Sequence, residues 1–357
     1  MDDNAWGNYS YPAVDTWTIP ASSRCDRITP EPTDGSAPAY VQDDSLPVGR
    51  TMGQFIALPD GTLLVINGAS NGTAGYAQRT GTTTTFGAMP FGESLATGPV
   101  GQPAIYNPNA APGSRWSTAG LSSSNIPRLY HSSALLLPDG SVMIAGSNPN
   151  VDVNLTTTYP TTYTAEYFYP QYLSAKTRPV PQNVPTTLSY GGDHFDITIQ
   201  PSSYSGNAND AAKNTTIWLI RQGFTTHAMN MGQRIMQLNN TYTVQNNGTI
   251  ILHTAQLPPF PTLFQPGPAF LFVTINGIPS NGTYVIIGNG QIGSQLTASA
   301  SVLPSSILSA QSSASGNGTN SNRKNAANPT HSMSGLTTSL FVAAVSFALS
   351  CFSMGIC

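Results

Sequence analysis

The sequence predicts an all-β protein, and three observations carry this prediction. Apolar runs are short and are separated by turns rich in Gly, Pro, Thr, Ser and Asn. No stretch before residue 336 shows a helical period of apolar residues. A β-hairpin unit also occurs twice, beginning at Arg50 and again at Arg128. With 357 residues, the chain is long enough for two or three domains.

The repeated unit consists of an arginine, an apolar run, a Pro-Asp-Gly turn, a second apolar run and a glycine. It occupies residues 50–68 and 128–146. Residues 102–108 end in Tyr-Asn-Pro, and residues 114–118 contain a Trp; these two strands complete a four-stranded sheet with the first hairpin. Such a sheet is typical of a kelch-type propeller blade, although the repeat exceeds the usual length of about 50 residues. The excess, residues 69–98, is Gly/Thr-rich and is predicted to be a long loop that carries a binding surface.

The sequence also suggests that a longer protein precedes residue 1. Residues 14–19 alternate and are predicted to form an outer strand, but two blades cannot close a propeller. The polar N-terminus has no signal-peptide pattern. Cys351 and Cys357 lie in an apolar tail, so Cys25 is expected to have lost its partner with the missing front end. The alternative is a free, buried thiol in a complete protein.

The second half predicts an immunoglobulin-like sandwich. Short apolar strands are predicted at residues 195–199, 216–220, 250–253 and 269–275, within about 120 residues. His194 and His253 lie at the edges of strands and are predicted to be surface or packing residues. The predicted domains are a partial propeller (1–170), the sandwich (171–293), a Ser/Asn-rich linker (294–330) and a hydrophobic C-terminal signal (331–357).

Composition indicates the environment of the protein. Charged residues make up only 8% of the chain, with a net charge of -3, so no basic surface for nucleic acid is expected. Eight N-x-S/T sequons favour a glycosylated, secreted protein. Their asparagines are Asn8, Asn71, Asn154, Asn214, Asn239, Asn247, Asn281 and Asn317.

The C-terminus predicts a lipid anchor. Residues 339–357 are apolar to the end of the chain but too short for a comfortable transmembrane helix. Small residues from Asn325, a polar spacer and this tail match a GPI-attachment signal, with Asn325 as the predicted attachment residue. A tail anchor is the alternative. We therefore expect an extracellular monomer at the cell surface or in the cell wall, which contacts the membrane only through a GPI anchor.

Tyr130 and His131 are candidate metal ligands at the start of a predicted strand. Adjacent residues of a regular strand point to opposite faces, so the pair could bind one metal only where the backbone is still irregular. By themselves they fit better as a partly buried histidine with satisfied hydrogen bonds and a packing aromatic. His227 lies on a predicted loop after the strand at residues 216–220, and it too is compatible with a structural role.

Three motifs, in the same order, resemble those of the copper radical oxidases. They are Arg-Leu-Tyr-His-Ser (128–132) with Leu-Pro-Asp-Gly after it, Thr-Thr-His-Ala-Met-Asn-Met-Gly-Gln-Arg (225–234), and residues 266–273 with Gly-Ile-Pro-Ser at 277–280. The resemblance covers nearly all of residues 4–290 and is nearest to the fungal glyoxal oxidases, with the galactose oxidases more distant. It implies a seven-bladed kelch propeller followed by an immunoglobulin-like, early-set domain, one loop of which reaches into the propeller axis.

The resemblance also implies roles for three residues. His131 and His227 match the family's equatorial copper ligands, and Tyr130 matches the axial tyrosine that takes the substrate's proton. Neutral imidazole and a tetragonal set of N and O ligands suit Cu(II). A phenol has a pKa of about 10 and ionises readily beside a cation, so it can serve as a catalytic base.

The family's fourth ligand is a tyrosine cross-linked to a cysteine, which stores a radical. This pair lies upstream of the Tyr-His motif and is expected to be absent from this chain, because Cys25 does not match it. The resemblance implies an oxidase that converts aldehydes such as glyoxal or methylglyoxal to acids and reduces O2 to H2O2. The alternative is a non-catalytic surface protein that binds cell-wall polysaccharide.

Overall fold

The computed structural model describes residues 12–30, 32–226, 229–310 and 342–343, and these residues form an all-β fold. The predicted all-β class is therefore confirmed. Within these residues one short α-helix occurs, α1 (Ala208–Lys213), which the sequence did not predict because six residues are too few to show a period. The Asn207 side chain caps it by accepting from the backbone N–H groups of Asn209 and Asp210. No helix among the described residues could span a membrane, and Asn325 and the predicted C-terminal signal lie outside them.

The first half of the chain contains eleven strands in the described residues. They are β1 (Asp26–Ile28), β2 (Tyr40–Gln42), β3 (Gln54–Ala57), β4 (Leu63–Ile66), β5 (Ala69–Tyr76), β6 (Pro90–Pro99), β7 (Ala104–Tyr106), β8 (Trp116–Ser117), β9 (Ser132–Leu136), β10 (Val142–Gly146) and β11 (Glu166–Phe168). Strands β3, β4, β7 and β8 form one antiparallel sheet in that order, as predicted for a blade. Strands β9, β10 and β11 form a second sheet that begins with the equivalent hairpin.

Two predictions for this half are wrong. Residues 69–98 are not a long loop but contain the hairpin β5–β6, since Gly72 (φ 93°) lets the two backbones approach closely despite the unusual composition. The predicted outer strand at residues 14–19 is instead a 3-10 helix, Thr16–Thr18. Trp17 is buried there and meets the Phe91 ring edge-on at 6.3 Å, so packing on the hairpin decides the local structure.

The second half is a sandwich of two main sheets. Its strands are β12 (Thr187–Leu188), β13 (Tyr190–Gly192), β14 (Phe195–Ile199), β15 (Thr215–Arg221), β16 (Phe224–Thr226), β17 (Met229–Met231), β18 (Arg234–Leu238), β19 (Asn240–Val244), β20 (Ile250–Thr254), β21 (Gly267–Ile275), β22 (Ile278–Pro279), β23 (Thr283–Ile287), β24 (Thr297–Ala300) and β25 (Val342–Ala343). The larger sheet has the order β12–β23–β21–β15–β18–β25, with β22 on β21, and the smaller sheet has the order β14–β20–β19. The four strands predicted from the sequence correspond to β14, β15, β20 and β21.

The segment after residue 294, predicted as a linker, continues the sandwich over its first part. Strand β24 pairs in parallel with β13. Farther along, the N–H of Ile307 donates to the carbonyl of Tyr242 (2.7 Å), and the carbonyl of Ile307 accepts from the N–H of Val244 (2.8 Å). The chain is therefore hydrogen-bonded to the sandwich well beyond residue 294.

The larger sheet is covered on both faces. Ile217 and Leu219 of β15 point into the core between the two sheets of the sandwich. Ile220 of the same strand and Phe272 of β21 belong to a second core, which they share with blade residues. The blade side chains in this shared core include Ile56, Leu58, Leu64, Ala134, Leu136, Val142 and Ile144. The blades and the sandwich therefore pack through one continuous apolar interface.

Both Pro-Asp-Gly turns of the blades contact the sandwich. In the first turn, the carbonyl of Pro59 accepts a hydrogen bond from the Thr274 hydroxyl (2.5 Å). In the second, the carbonyl of Pro138 accepts from the N–H of Gly282 (2.7 Å). Each copy of the Pro-Asp-Gly turn therefore hydrogen-bonds one blade to the second domain.

Gly61 offers a test of this interface. Its φ is +86°, and a Cβ added there would lie 2.6 Å from the Trp218 ring of β15. Gly120, with φ +72° and open space around it, is the matched control. Gly120→Ala should cost about 1–2 kcal/mol through backbone strain alone. Gly61→Ala should cost about 1–3 kcal/mol more, because the interface must also move. Urea unfolding of both variants measures the difference, and equal losses would contradict the close packing of this turn on Trp218.

Candidate metal centre

The Tyr130–His131 pair lies in the turn that leads directly into β9. His131 has φ +64°, a left-handed conformation that is uncommon for a residue with a side chain. The two ring centroids are consequently only 3.9 Å apart, with 31° between the ring planes. The irregular backbone at the start of the strand thus brings the two adjacent side chains to the same side. This is the condition under which Tyr130 and His131 could bind one metal.

Arg128 fixes the conformation of this turn. Its guanidinium is buried and donates to the Glu166 carboxylate from Nε (3.0 Å) and Nη2 (2.7 Å). Nη1 donates to the carbonyl of Gly146 at the end of β10 (2.7 Å). The residue after Gly146 joins this network, since the hydroxyl of Ser147 accepts from the N–H of Leu129 (2.9 Å). The turn is therefore tied to both neighbouring strands of its blade.

Asn148 orients the His131 ring. The carbonyl of Asn148 lies 2.8 Å from Nδ1 of His131, and the N–H of Asn148 donates to the carbonyl of Tyr130 (2.8 Å). A carbonyl only accepts, so in the neutral imidazole Nδ1 carries the proton and Nε2 keeps its lone pair. The His131 side chain is exposed. An imidazole fixed by a backbone carbonyl, with Nε2 available, is the usual arrangement of a metal-binding histidine.

Tyr130 is half-buried beside this imidazole. Burial, and to a smaller extent the neighbouring phenol of Tyr76, raises the pKa of Tyr130 above its ordinary value. The phenol is therefore neutral at physiological pH unless a cation lies close to it. The tyrosine thus meets the requirement for a base whose ionisation depends on a bound metal.

Tyr76 is a residue of this site that sequence reasoning missed. Its ring centroid lies 6.2 Å from those of both Tyr130 and His131, and its side chain is exposed. Tyr76 ends β5, within the inserted stretch that the sequence marked as a binding surface. The Gly/Thr-rich composition of residues 69–98 was the only sequence signal for this region, and it did not distinguish Tyr76 from its neighbours.

The hairpin β16–β17 of the sandwich lies on the inner strands of both blades. The Ser133 hydroxyl of β9 donates to the Thr225 hydroxyl of β16 (3.2 Å). The Asn230 side chain of β17 donates to the carbonyl of Phe55 in β3 (2.9 Å). The two residues between β16 and β17 are His227 and Ala228, which lie outside the described residues. The role of His227 as a ligand therefore stays a prediction, although β16 contacts Ser133, two residues after His131.

Gln233, just after β17, is a second residue that the sequence did not single out. Its buried amide donates from Nε2 to the carbonyl of Phe55 (2.9 Å) and accepts at Oε1 from the N–H of Ala57 (3.0 Å). It thereby completes the hydrogen bonding of one side of β3. No sequence pattern reveals such a contact, because the partners are 176 and 178 residues away.

The donor set present fits copper. The turn supplies an imidazole nitrogen and a phenol oxygen, which belong to the N and O ligands that suit Cu(II). These assignments of Tyr130 and His131 as ligands, and of Tyr130 as the catalytic base, remain predictions.

The sequons differ in their accessibility. Asn214, Asn239, Asn247 and Asn281 are exposed, and all four lie on the sandwich. Asn71 and Asn154, in the blade half, are half-buried, whereas Asn8 and Asn317 lie outside the described residues. Among the described residues, the exposed sequon asparagines therefore all lie on the second domain.

Gln233→Ala tests whether the hairpin positions the metal centre. Losing the amide leaves the N–H of Ala57 without its acceptor and removes one of the two side-chain donors to the carbonyl of Phe55, which should cost about 1–3 kcal/mol of folding free energy. Copper affinity should fall as well, because the hairpin that carries His227 is then less well positioned. Gln237→Ala, which removes an exposed amide from the neighbouring strand β18, is the control and should change neither quantity. Unfolding curves and copper titrations measure the two effects. Reduced stability with unchanged copper affinity would contradict a ligand on this hairpin.

Two family models match the chain. Residues 5–172 match the glyoxal oxidase N-terminus, and residues 178–287 match the galactose oxidase-like early set domain. Aldehyde oxidase GLOX1 of Arabidopsis thaliana is 34% identical over 259 residues, which are 71% of this chain and 38% of that protein. Aldehyde oxidase GLOX of Vitis pseudoreticulata is 31% identical over 283 residues, which are 78% of this chain and 48% of that protein.

A solved structure shows the same fold. It is that of a fungal alcohol oxidase in complex with copper, with a TM-score of 0.55 and 20% sequence identity over 75% of this chain and 48% of that one. This chain thus spans less than half the length of each of these three proteins. The two domain matches and the oxidase relatives together show that the chain belongs to the copper radical oxidase family.

Proposed function

We propose that this chain is part of an extracellular copper oxidase that converts aldehydes such as glyoxal and methylglyoxal to carboxylic acids. The observation that carries the proposal is the turn at Tyr130 and His131, where the rings lie 3.9 Å apart and Nε2 of His131 is available to a metal. A packing role does not explain why the carbonyl of Asn148 orients the exposed imidazole of His131. The aldehyde oxidases among the relatives support the choice of substrate class.

The proposed reaction balances with O2 as the oxidant. A hydrated aldehyde loses two electrons and two protons and becomes a carboxylic acid. O2 takes up these two electrons and two protons and becomes H2O2. Bound copper would act as a Lewis acid and as a one-electron acceptor in this exchange. The family's cross-linked Cys–Tyr pair would supply the second one-electron acceptor, and we assign it to no residue of this chain.

Tyr130 would accept the substrate's proton. Its phenol is neutral where no cation is near, because burial raises its pKa. His131 and Tyr130 would hold the cation together, and its charge would stabilise the phenolate, which is then a base of suitable strength. The Arg128–Glu166 pair and the Asn148 carbonyl would keep both side chains in place during this transfer.

We further propose the family's seven-bladed kelch propeller for the whole protein, with the two sheets described here as two of its blades. The equivalent hairpins and the four-stranded order β3–β4–β7–β8 support this architecture. Secretion, glycosylation and a GPI anchor at Asn325 would place a monomeric enzyme at the cell surface. The exposed sequons of the sandwich support glycosylation.

The decisive experiment compares this chain with a version extended upstream, both loaded with copper and supplied with methylglyoxal. We expect H2O2 release from the extended form only, because only that form is expected to contain the radical pair.

His227→Ala in the extended form should lose copper on dialysis and abolish activity, with the circular dichroism of the β-sandwich unchanged. Retention of copper at normal stoichiometry in this variant would contradict the ligand assignment. Protein without copper and without activity in both forms would favour the alternative, a surface protein that binds wall polysaccharide.

Tyr76 should position the substrate in the active, extended form. Tyr76→Ala removes a ring beside the metal turn and should raise KM for the aldehyde about tenfold, as expected for losing about 1.4 kcal/mol of contact. Tyr76→Phe keeps the ring and should behave like the parent. Copper content should be the same in all three proteins. An unchanged KM in Tyr76→Ala, measured by steady-state peroxide release, would place the substrate elsewhere.

A further inference from the structure

A second cluster of metal-binding side chains lies on the sandwich, away from the blades. Strand β14 carries Asp196 and β20 carries His253, and these residues are direct partners in the antiparallel register. His194 precedes β14 and lies two residues before Asp196, so it belongs to the same face of the sheet. The alternate residues Ile197 and Leu252 point into the sandwich core. The cluster therefore occupies the outer face of the smaller sheet, β14–β20–β19.

The ligand atoms of these three side chains converge. Oδ1 of Asp196 is 2.7 Å from Nδ1 of His253 and 3.8 Å from Nε2 of His194. One ligand atom from each residue lies within 4.8 Å of the other two. The two imidazole rings are nearly perpendicular (89°), with centroids 5.8 Å apart, so they do not stack on each other.

We propose that His194, Asp196 and His253 bind a divalent transition-metal ion, for which Zn²⁺ is the best candidate. Two imidazole nitrogens and one carboxylate oxygen form a frequent zinc ligand set, with bonds of about 2.0–2.2 Å. Ligand atoms around a tetrahedral zinc ion are consequently about 3.4 Å apart. The three side chains need to adjust by only about 1 Å to reach this spacing. Asp196 is half exposed, which leaves room for water as the fourth ligand.

Strand β19 supplies the outer partner that a metal-binding histidine requires. The Thr243 hydroxyl lies 2.9 Å from Nε2 of His253. When Nδ1 of His253 binds the metal, its proton is displaced and Nε2–H can donate to this hydroxyl. The hydroxyl of Thr241, which faces His253 in the register of β19 and β20, is buried and has no hydrogen-bond partner among the described residues. At least one hydroxyl beside the cluster therefore lacks a hydrogen-bond partner among the described residues, which is unusual where polar side chains serve only packing.

A bound ion would join parts of the sandwich that are distant in sequence. Asp196 and His253 lie on different strands, and the N–H of His194 donates to the hydroxyl of Ser301, just after β24 (3.0 Å). The blades contact the other sheet, through Ile220 and Phe272. The proposed ion is thus separate from the Tyr130–His131 centre, and it would stabilise the sandwich whether or not the oxidase function is correct.

The test is titration of tag-free full chain with Zn²⁺, by calorimetry and by metal analysis after equilibrium dialysis. The chain carries His131→Ala, so that the first centre does not contribute its histidine. We expect one Zn²⁺ per chain, and at least a tenfold loss of affinity in His194→Asn and in Asp196→Asn. Asp193→Asn removes the same charge from the same segment but no ligand, and it should bind like the parent. Unchanged affinity in Asp196→Asn, or an equal loss in Asp193→Asn, would overturn the proposal.

Thr243→Val provides a second readout that does not remove a ligand. Loss of an outer partner typically reduces metal affinity by about 10–100-fold, so Zn²⁺ binding should weaken in this variant. Zn²⁺ should also raise the Tm of the parent but not that of Asp196→Asn, because only the parent binds the ion in its native state. A Zn²⁺-dependent Tm increase of the same size in both proteins would show binding elsewhere and would overturn the assignment.

Discussion

The structure depends on one sheet that is buried on both faces. In β15, Ile217 and Leu219 fill the core of the sandwich, whereas Ile220 packs against the blades. The same division occurs in β21, where Phe272 faces the blades and its neighbours face the sandwich core. Separating the two domains would expose the second face of this sheet and the inner blade strands together. Burial of this apolar surface is therefore a condition for both domains to keep their present arrangement.

This interface determines where the hairpin β16–β17 lies. The hairpin connects β15 to β18, and both of these strands are fixed against the blades. Its own hydrogen bonds then align it with the inner strands, through Thr225 on β9 and Asn230 on β3. The turn that holds Tyr130 and His131 is fixed independently, by the Arg128–Glu166 pair. The Tyr130–His131 turn and the strands β16 and β17 are thus each held in place by hydrogen bonds within the protein.

Much of this could be predicted from the sequence, and the failures share a physical cause. The hairpins around Pro-Asp-Gly and the strands of the sandwich follow from apolar runs and turn residues, which are local signals. The 3-10 helix at Thr16–Thr18 could not be predicted, since the burial of Trp17 against Phe91 depends on the hairpin β5–β6. Asp196 was likewise missed as a neighbour of His253, because only the strand register brings together residues 57 positions apart. Apolar runs and turn residues therefore predict where the strands lie. The contacts between strands depend on register and packing, which the local sequence does not show.

The left-handed turn at His131 is best understood from the earlier blade. Ala57 pairs with Leu63 in the first hairpin, and Leu136 pairs with Val142 in the second, so Met52 occupies the position equivalent to His131. Met52 has φ +60°, nearly the same value as His131. Because methionine at this position has no metal-binding partner beside it, the turn belongs to the blade and does not depend on a metal. The candidate centre therefore uses a backbone conformation that the repeat already provides, and the residues placed on it, Tyr130 and His131, give that turn its chemistry.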